Sequence, residues 1–302
     1  MKKTLIFILF ISGLSFLNDR LPYKKMQYGD SLILTYDDNK GGLDWDNSGR
    51  RIAFESSFEE SKNIYFIDFY DLPVTFSKNG FHYAKYINEL TDRNSIYNPL
   101  AVARDTAFTS PKWNLTGKLL LSIGQYGLKN EVFISKRITR KTLGTKITDV
   151  AAANWKNDSI LLVVKKNQPK QLLEISRKTL KSKVILNTKH NIIGISKQKN
   201  AIYLSSIGGV CELTYSTHKS IWFELPIKGQ STAKLGKLNF IGLDKNNSAE
   251  VLDLNNGTKH PFSVGENDGS PVISKDEKFV AFFSGYINGI VIKRVNKKFY
   301  LE

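Results

Sequence analysis

No internal disulfide can form in this chain, because Cys211 is its only cysteine. Stability must therefore come from packing and sheet hydrogen bonds, with Cys211 read as a small buried hydrophobe in a strand. Catalytic signatures are missing as well. There is no Gly-x-Ser-x-Gly, which removes the nucleophile elbow of the serine hydrolases. There is no phosphate-binding glycine loop, no His-Glu-x-x-His and no cysteine cluster. Histidine is scarce: His82, His190, His218 and His260 are the only four, and no two stand at metal-ligand spacing. No metal or cofactor is expected. Long apolar runs are absent after the start of the chain. There, Met1-Lys2-Lys3 precedes an uncharged, mostly apolar stretch over residues 4–17. A basic start followed by so short a run reads as a secretory signal peptide over 1–17, with Ser12, Gly13 and Ser15 offering a cleavage zone. Retention as an uncleaved anchor is the alternative. No cysteine lies near its end to carry a lipid. A periplasmic or secreted protein is expected.

What the chain does have is a recurring phrase. It reads Leu-Asp-Trp-Asp-Asn-Ser-Gly-Arg-Arg-Ile-Ala-Phe at 43–54 and Pro-Lys-Trp-Asn-Leu-Thr-Gly-Lys-Leu-Leu-Leu-Ser at 111–122. Each copy has an apolar anchor, a polar turn with glycine in fifth place, and an apolar strand centred seven residues after the anchor. Gly49 and Gly117 suit a turn that needs positive φ, so the phrase predicts a hairpin. Weaker copies are anchored on Trp155, Ile195 and Ile273 and lack the turn glycine. Anchors at 45, 113, 155, 195 and 273 are separated by 68, 42, 40 and 78 residues. The last interval holds two units of about 39 residues, and the strand at 238–243 supplies the hidden one. The first holds one unit plus an insertion. Each hairpin is followed by two further strand-like runs. Four short strands per unit of about 40 residues, six times over, predict an all-β, six-bladed β-propeller of four-stranded antiparallel blades. A β-sandwich is the alternative architecture.

The Trp, polar turn, Gly-Lys/Arg and apolar strand, followed by Asn-Ile-Tyr-Phe-Ile-Asp at 63–68, resemble the repeat of TolB-like six-bladed propellers. Ser48-Gly49 and Thr116-Gly117 stand where that family carries Asp-Gly. The resemblance spans most of the chain and implies a fold; proteins of differing function share it. Some relatives carry an adjoining α/β-hydrolase domain, and the missing nucleophile elbow speaks against that chemistry here.

These readings divide the chain into a signal peptide (1–17), an N-terminal segment (18–42) and a propeller (43–302). The segment's run at 31–36 is expected to close the ring, with 298–301 as its neighbour. Trp45, Trp113 and Trp155 are read as packing anchors between blades, and Trp222 as a strand residue of blade 4. Asp68, Asp71, Asp244 and Asp253 border strands and are read as turn caps. An insertion over 73–110 interrupts blade 1, with 83–91 expected to supply that blade's fourth strand. It carries Phe76, Phe81, Tyr83, Arg93, Tyr97 and Arg104 and is a candidate partner-binding loop. The net charge of +16 is concentrated. Residues 129–189 hold fifteen Lys/Arg against four Asp/Glu, and Arg137, Arg140, Lys141, Lys165, Lys166, Arg177 and Lys178 form a candidate polyanion patch. An acidic glycan or anionic surface is its expected ligand. Nucleic acid is not, since RNA-binding aromatic and zinc-finger signatures are lacking. The reading that results is an exported, non-catalytic propeller acting as a protein-binding or assembly scaffold, with a protein partner in the cell envelope. The rivals are a polysaccharide lyase or glycosidase with its site in the channel mouth, and a polyanion-binding surface protein.

Overall fold

The repeated phrase folds as a strand, a tight turn and a second strand. Trp45 lies across from Ile52 and Trp113 from Leu120, one pair short of the turn. The residue after the anchor holds the turn together. Asp46 accepts from the Arg51 N–H, Asn114 from the Leu119 N–H and Ser274 from the Phe279 N–H, at 3.1, 2.9 and 3.0 Å. Three residues further on, Gly49, Gly117 and Glu277 adopt φ of 69°, 63° and 59°. The third turn thus has the geometry of the first two without their glycine.

The computed structural model describes residues 31–35, 41–49, 51–56, 63–68, 76–77, 80–81, 96–97, 107–137, 142–198 and, with short breaks, 201–295. The chain enters through β1 (Ser31–Thr35). Blade 1 is β2 (Gly41–Trp45), β3 (Arg51–Ser56) and β4 (Asn63–Asp68); after a small hairpin of β5 (Phe76–Ser77) and β6 (Gly80–Phe81), β7 (Ile96–Tyr97) completes it. Blade 2 is β8 (Ala107–Trp113), β9 (Leu119–Tyr126), β10 (Lys129–Lys136) and β11 (Thr142–Thr148). Blade 3 is β12 (Val150–Trp155), β13 (Ile160–Lys165), β14 (Gln168–Ser176) and β15 (Ser182–Asn187). Blade 4 is β16 (Ile192–Gln198), β17 (Ala201–Ser206), β18 (Gly209–Thr214) and β19 (Ser220–Glu224). Blade 5 is β20 (Lys228–Leu235), β21 (Asn239–Leu243), β22 (Ala249–Asp253) and β23 (Lys259–Pro261). Blade 6 is β24 (Val272–Ile273), β25 (Phe279–Ser284) and β26 (Gly289–Arg294), with β1 as its outer strand.

Among the described residues there are six four-stranded antiparallel sheets, and their inner strands touch in succession: β2, β8, β12, β16, β20, β24 and back to β2. β1 runs antiparallel to β26, with Ser31 opposite Lys293 and Thr35 opposite Gly289. The neighbour of β1 is therefore 289–294, whereas 298–301 lies outside the described residues. Blade 1 also differs from expectation. Its fourth strand is Ile96–Tyr97, while 83–91 lies outside the described residues, and 107–110 belongs to the inner strand of blade 2.

The core is distributed as wedges between neighbouring blades. On β13, Leu161 and Val163 pack towards blade 2 while Leu162 and Val164 pack towards blade 4. This is the period of two expected of a strand buried on both faces. The tryptophan anchors bridge backwards. Trp45 stacks on Phe279 of blade 6, its ring centroid 6.3 Å away, and Trp113 meets Phe66 of blade 1 edge-on at 5.4 Å. Trp155 donates its indole N–H to the Lys112 carbonyl of blade 2 at 2.8 Å.

In the fourth unit the register departs from the expected one. Ile202 faces Lys197, and Ile195 sits two residues earlier, opposite Leu204, because the turn is shorter there. Lys197 serves as the bridge: its ammonium bonds the Lys156 carbonyl of blade 3 at 2.8 Å and lies over the Tyr215 ring. In the hidden fifth unit Lys234 holds the same place opposite Phe240, paired with Glu212 of blade 4 at 2.8 Å.

The turns of neighbouring blades also interlock. A Cβ at Gly117 would lie 3.1 Å from the Asp46 carboxylate and 3.3 Å from the Arg51 guanidinium, whereas one at Gly49 would meet nothing within 4 Å. Both glycines have positive φ, so each alanine substitution incurs backbone strain of about 1 kcal/mol. Gly117→Ala additionally crowds an ion pair and should cost about 2 kcal/mol in all. Urea unfolding of the two variants should show Gly117→Ala as the less stable; equal loss would disprove the interlock.

Candidate functional site

Three regions compete for function: the central channel, the two ring faces and the insertion. The channel is lined by inner strands. On the inner strands of blades 1–4, Gly42, Leu43, Ser110, Lys112, Ala151, Ala153 and Gly194 surround a cavity of about 50 Å³. These side chains are mostly small and apolar, so the inner strands approach closely.

Polar groups enter the channel wall at one corner, between blades 1 and 2. β8 is irregular there: its register against β9 shifts between Thr109 and Lys112, and Ser110 takes φ of 55°. Two carboxylates of blade 1 hold the irregular strand. Asp44 accepts from the Trp113 N–H at 2.6 Å and faces the Lys112 ammonium at 3.7 Å. Glu55 accepts from the Ser110 N–H at 2.8 Å. Sequence reasoning passed over Asp44 and Glu55, though Asp44 stands inside the first repeated phrase. Their bonds to backbone N–H groups give them a structural role, stitching blade to blade. Burial raises the Asp44 carboxyl to about 6, with Lys112 acting in the opposite direction. Cys211 is buried on β18, and burial pushes its thiol up to about 11, as befits an inert core residue.

The expected polyanion patch is divided by topology. Turns between first and second strands, and between third and fourth, open on one face of the ring. Hairpins between second and third strands open on the other, together with the links between blades. Arg137 and Arg177 lie on the repeat-turn face, their N–H groups bonded to the Lys118 and Ser159 carbonyls, and Lys178 follows in the same turn as Arg177. The Arg177 guanidinium also covers the Trp155 ring at 5.7 Å. Lys165 and Lys166 lie at the opposite end of β14, in the β13–β14 hairpin, roughly 25 Å away at the usual rise per strand residue. Arg140 and Lys141 lie outside the described residues.

In the insertion, Phe76 pairs with Phe81 in the small hairpin, and Tyr97 pairs with Phe66 in blade 1. Tyr83, Arg93 and Arg104 lie outside the described residues, as do His82 and His218. His190 stacks on Trp222, with ring centroids 4.7 Å apart, and Trp222 lies on β19 of blade 4. His260 lies on β23 of blade 5. Among the described residues no three His, Cys, Asp or Glu side chains converge as a metal site would require.

No family model matches the chain, and no curated protein matches it in sequence. Solved structures match it in fold. One is a chain of the mitotic checkpoint complex, with TM-score 0.55 and 12% identity, over 87% of this chain and 93% of that one. Another is an oligogalacturonate lyase in complex with manganese, with TM-score 0.52 and 11% identity, over 91% and 100%. A third is TolB from Acinetobacter baumannii, with TM-score 0.51 and 14% identity, over 83% and 65%. Identities this low define the class alone: this chain is a β-propeller.

Asp44 gives a pH signature for the polar corner. Between its ordinary 3.8 and about 6 the folded chain keeps a proton that the unfolded chain releases. The group therefore favours folding fully below 3.8, and that contribution is lost as pH rises through about 6. Asp44→Asn keeps an acceptor for the Trp113 N–H and removes the titration. Urea midpoints across this window should fall more steeply with pH in the parent than in Asp44→Asn; parallel curves would refute the assignment.

Proposed function

We propose that this protein is an exported, non-catalytic β-propeller that acts as a binding or assembly scaffold for a protein partner of the cell envelope. The observation that carries the reading is the channel. In its described wall, small apolar side chains predominate, and the carboxylates at its polar corner are occupied by backbone N–H groups of the next blade. Acid–base chemistry on a polysaccharide needs carboxylates, histidines or tyrosines converging on one point with room for a sugar ring. The cavity of about 50 Å³ beside the inner strands of blades 1–4 is smaller than the usual ligand pocket of several hundred Å³. Likeness in fold to TolB and to a lyase leaves both a binding and an enzymatic precedent, and the chemistry of the wall favours binding.

Export rests on the basic and apolar start at 1–17, and the stretch between β4 and β8 offers a partner-binding segment on a rigid ring. Crosslinking of the tagged full chain in its native envelope should recover one recurrent protein partner. In parallel, incubation with polygalacturonate should yield no unsaturated product. Release of that product, or crosslinking that recovers no recurrent partner, would overturn the scaffold reading.

A further inference from the structure

The hairpin face of blades 2–4 carries side chains that its turns do not call for. β9 and β10 are joined by Gly127-Leu128, β13 and β14 by Lys166-Asn167, and β17 and β18 by Ile207-Gly208. Two-residue hairpin loops are short and rigid, and they favour Asn, Asp and Gly, which accept positive φ and face water. Leu128 and Ile207 instead put large aliphatic side chains there, 102% and 77% exposed. The tip glycines have φ of 57° and 87°, and a Cβ on either would meet nothing within 4 Å, so nothing crowds the tips on that side. The corresponding loop of blade 5, residues 244–248, is longer and polar. The apolar tips therefore flank a lysine tip, and their three blades are consecutive in the ring.

The same face carries lysines beside these tips. Lys129 follows Leu128, Lys166 stands at the middle tip, Lys165 beside it bonds the Thr148 carbonyl, and Lys146 lies near the adjacent end of β11. Glu131, Asp149 and Glu224 oppose them. Glu131 is engaged by the Lys146 N–H and the Tyr126 hydroxyl, which leaves less of its charge to face outwards.

We infer that this face docks on the surface of an anionic lipid bilayer, with Leu128 and Ile207 entering the acyl boundary and the lysines meeting the headgroup phosphates. Protein hot spots sit in packed pockets within a continuous contact. Here the aliphatics are isolated, protruding and separated by a whole basic blade. A fluid bilayer accepts protruding side chains at any spacing, and the parallel hairpins of a propeller present them to a plane. Neither signal suffices alone: stable peripheral binding takes apolar insertion together with basic residues near anionic headgroups. This inference is independent of the scaffold reading.

The test uses the full chain and vesicles of phosphatidylglycerol mixed with phosphatidylcholine, compared with phosphatidylcholine alone. Sedimentation should show binding to the anionic vesicles only, weakening as salt rises. Leu128→Ser with Ile207→Ser, and separately Lys129→Gln with Lys166→Gln, should each weaken binding about tenfold. All four positions are exposed, and unchanged thermal unfolding would verify the fold. Arg177→Gln with Lys178→Gln, on the opposite face, should bind like the parent. A Leu128→Trp variant should show a blue-shifted emission only with anionic vesicles. Absence of vesicle binding at low salt would overturn the inference. So would binding indifferent to the Leu128/Ile207 pair, or binding of polyglutamate without vesicle binding, which would assign the face to an acidic protein.

Discussion

Everything in this molecule depends on burying both faces of every blade. A blade such as β12–β15 presents Leu161 and Val163 on one side and Leu162 and Val164 on the other, and all four are fully buried. Each such side chain is worth about 1.5–3 kcal/mol when removed from water. No blade can gain that alone, because a lone sheet has no second layer. The ring is the solution: each blade covers its neighbours, β24 returns to β2, and β1 extends the last sheet from the other end of the chain.

That constraint explains where polar residues went. Asp44 and Glu55 of blade 1 hold the irregular β8, and the residues after Trp45, Trp113 and Ile273 cap their own turns. Asn114 does more, capping Leu119 and bonding Asp158 of blade 3. Gln198 links blade 4 to the Lys234 carbonyl of blade 5 and to Glu277 of blade 6. The repeat-turn face is thereby used up in joining blades. Hairpins on the other face also reach the next blade, as Asn130 does through both ends of its amide to Val150, yet the Leu128 and Ile207 side chains at their tips stay exposed.

Much of the fold was legible because the anchors are bulky and the turns chemically marked. Trp45, Trp113 and Trp155 with Gly49 and Gly117 define a period, and the period located the worn fifth unit. Where the markers change, the reading shifts. Lys197 and Lys234 occupy tryptophan positions, using long apolar stems and an ammonium that finds a carbonyl, a carboxylate or a ring. An apolar pattern passes over lysine and settles on Ile195, two residues away on the same strand face. The fourth strand of blade 1 is two residues long, too short to show any period.

The sequence by itself determined the unit, its repeat and the lack of the usual catalytic and metal-binding motifs, because these rest on local chemistry: turn residues, alternation and spacing. Only the tertiary structure decided which distant residues share a surface. Arg177 and Lys166 are eleven positions apart in one charged segment, yet a strand that crosses the ring from face to face puts them on opposite sides. Leu128 and Ile207 are 79 positions apart and come to one face, because hairpins of successive blades all turn the same way. Charge counted along a chain cannot reveal a patch when its strands alternate between two faces.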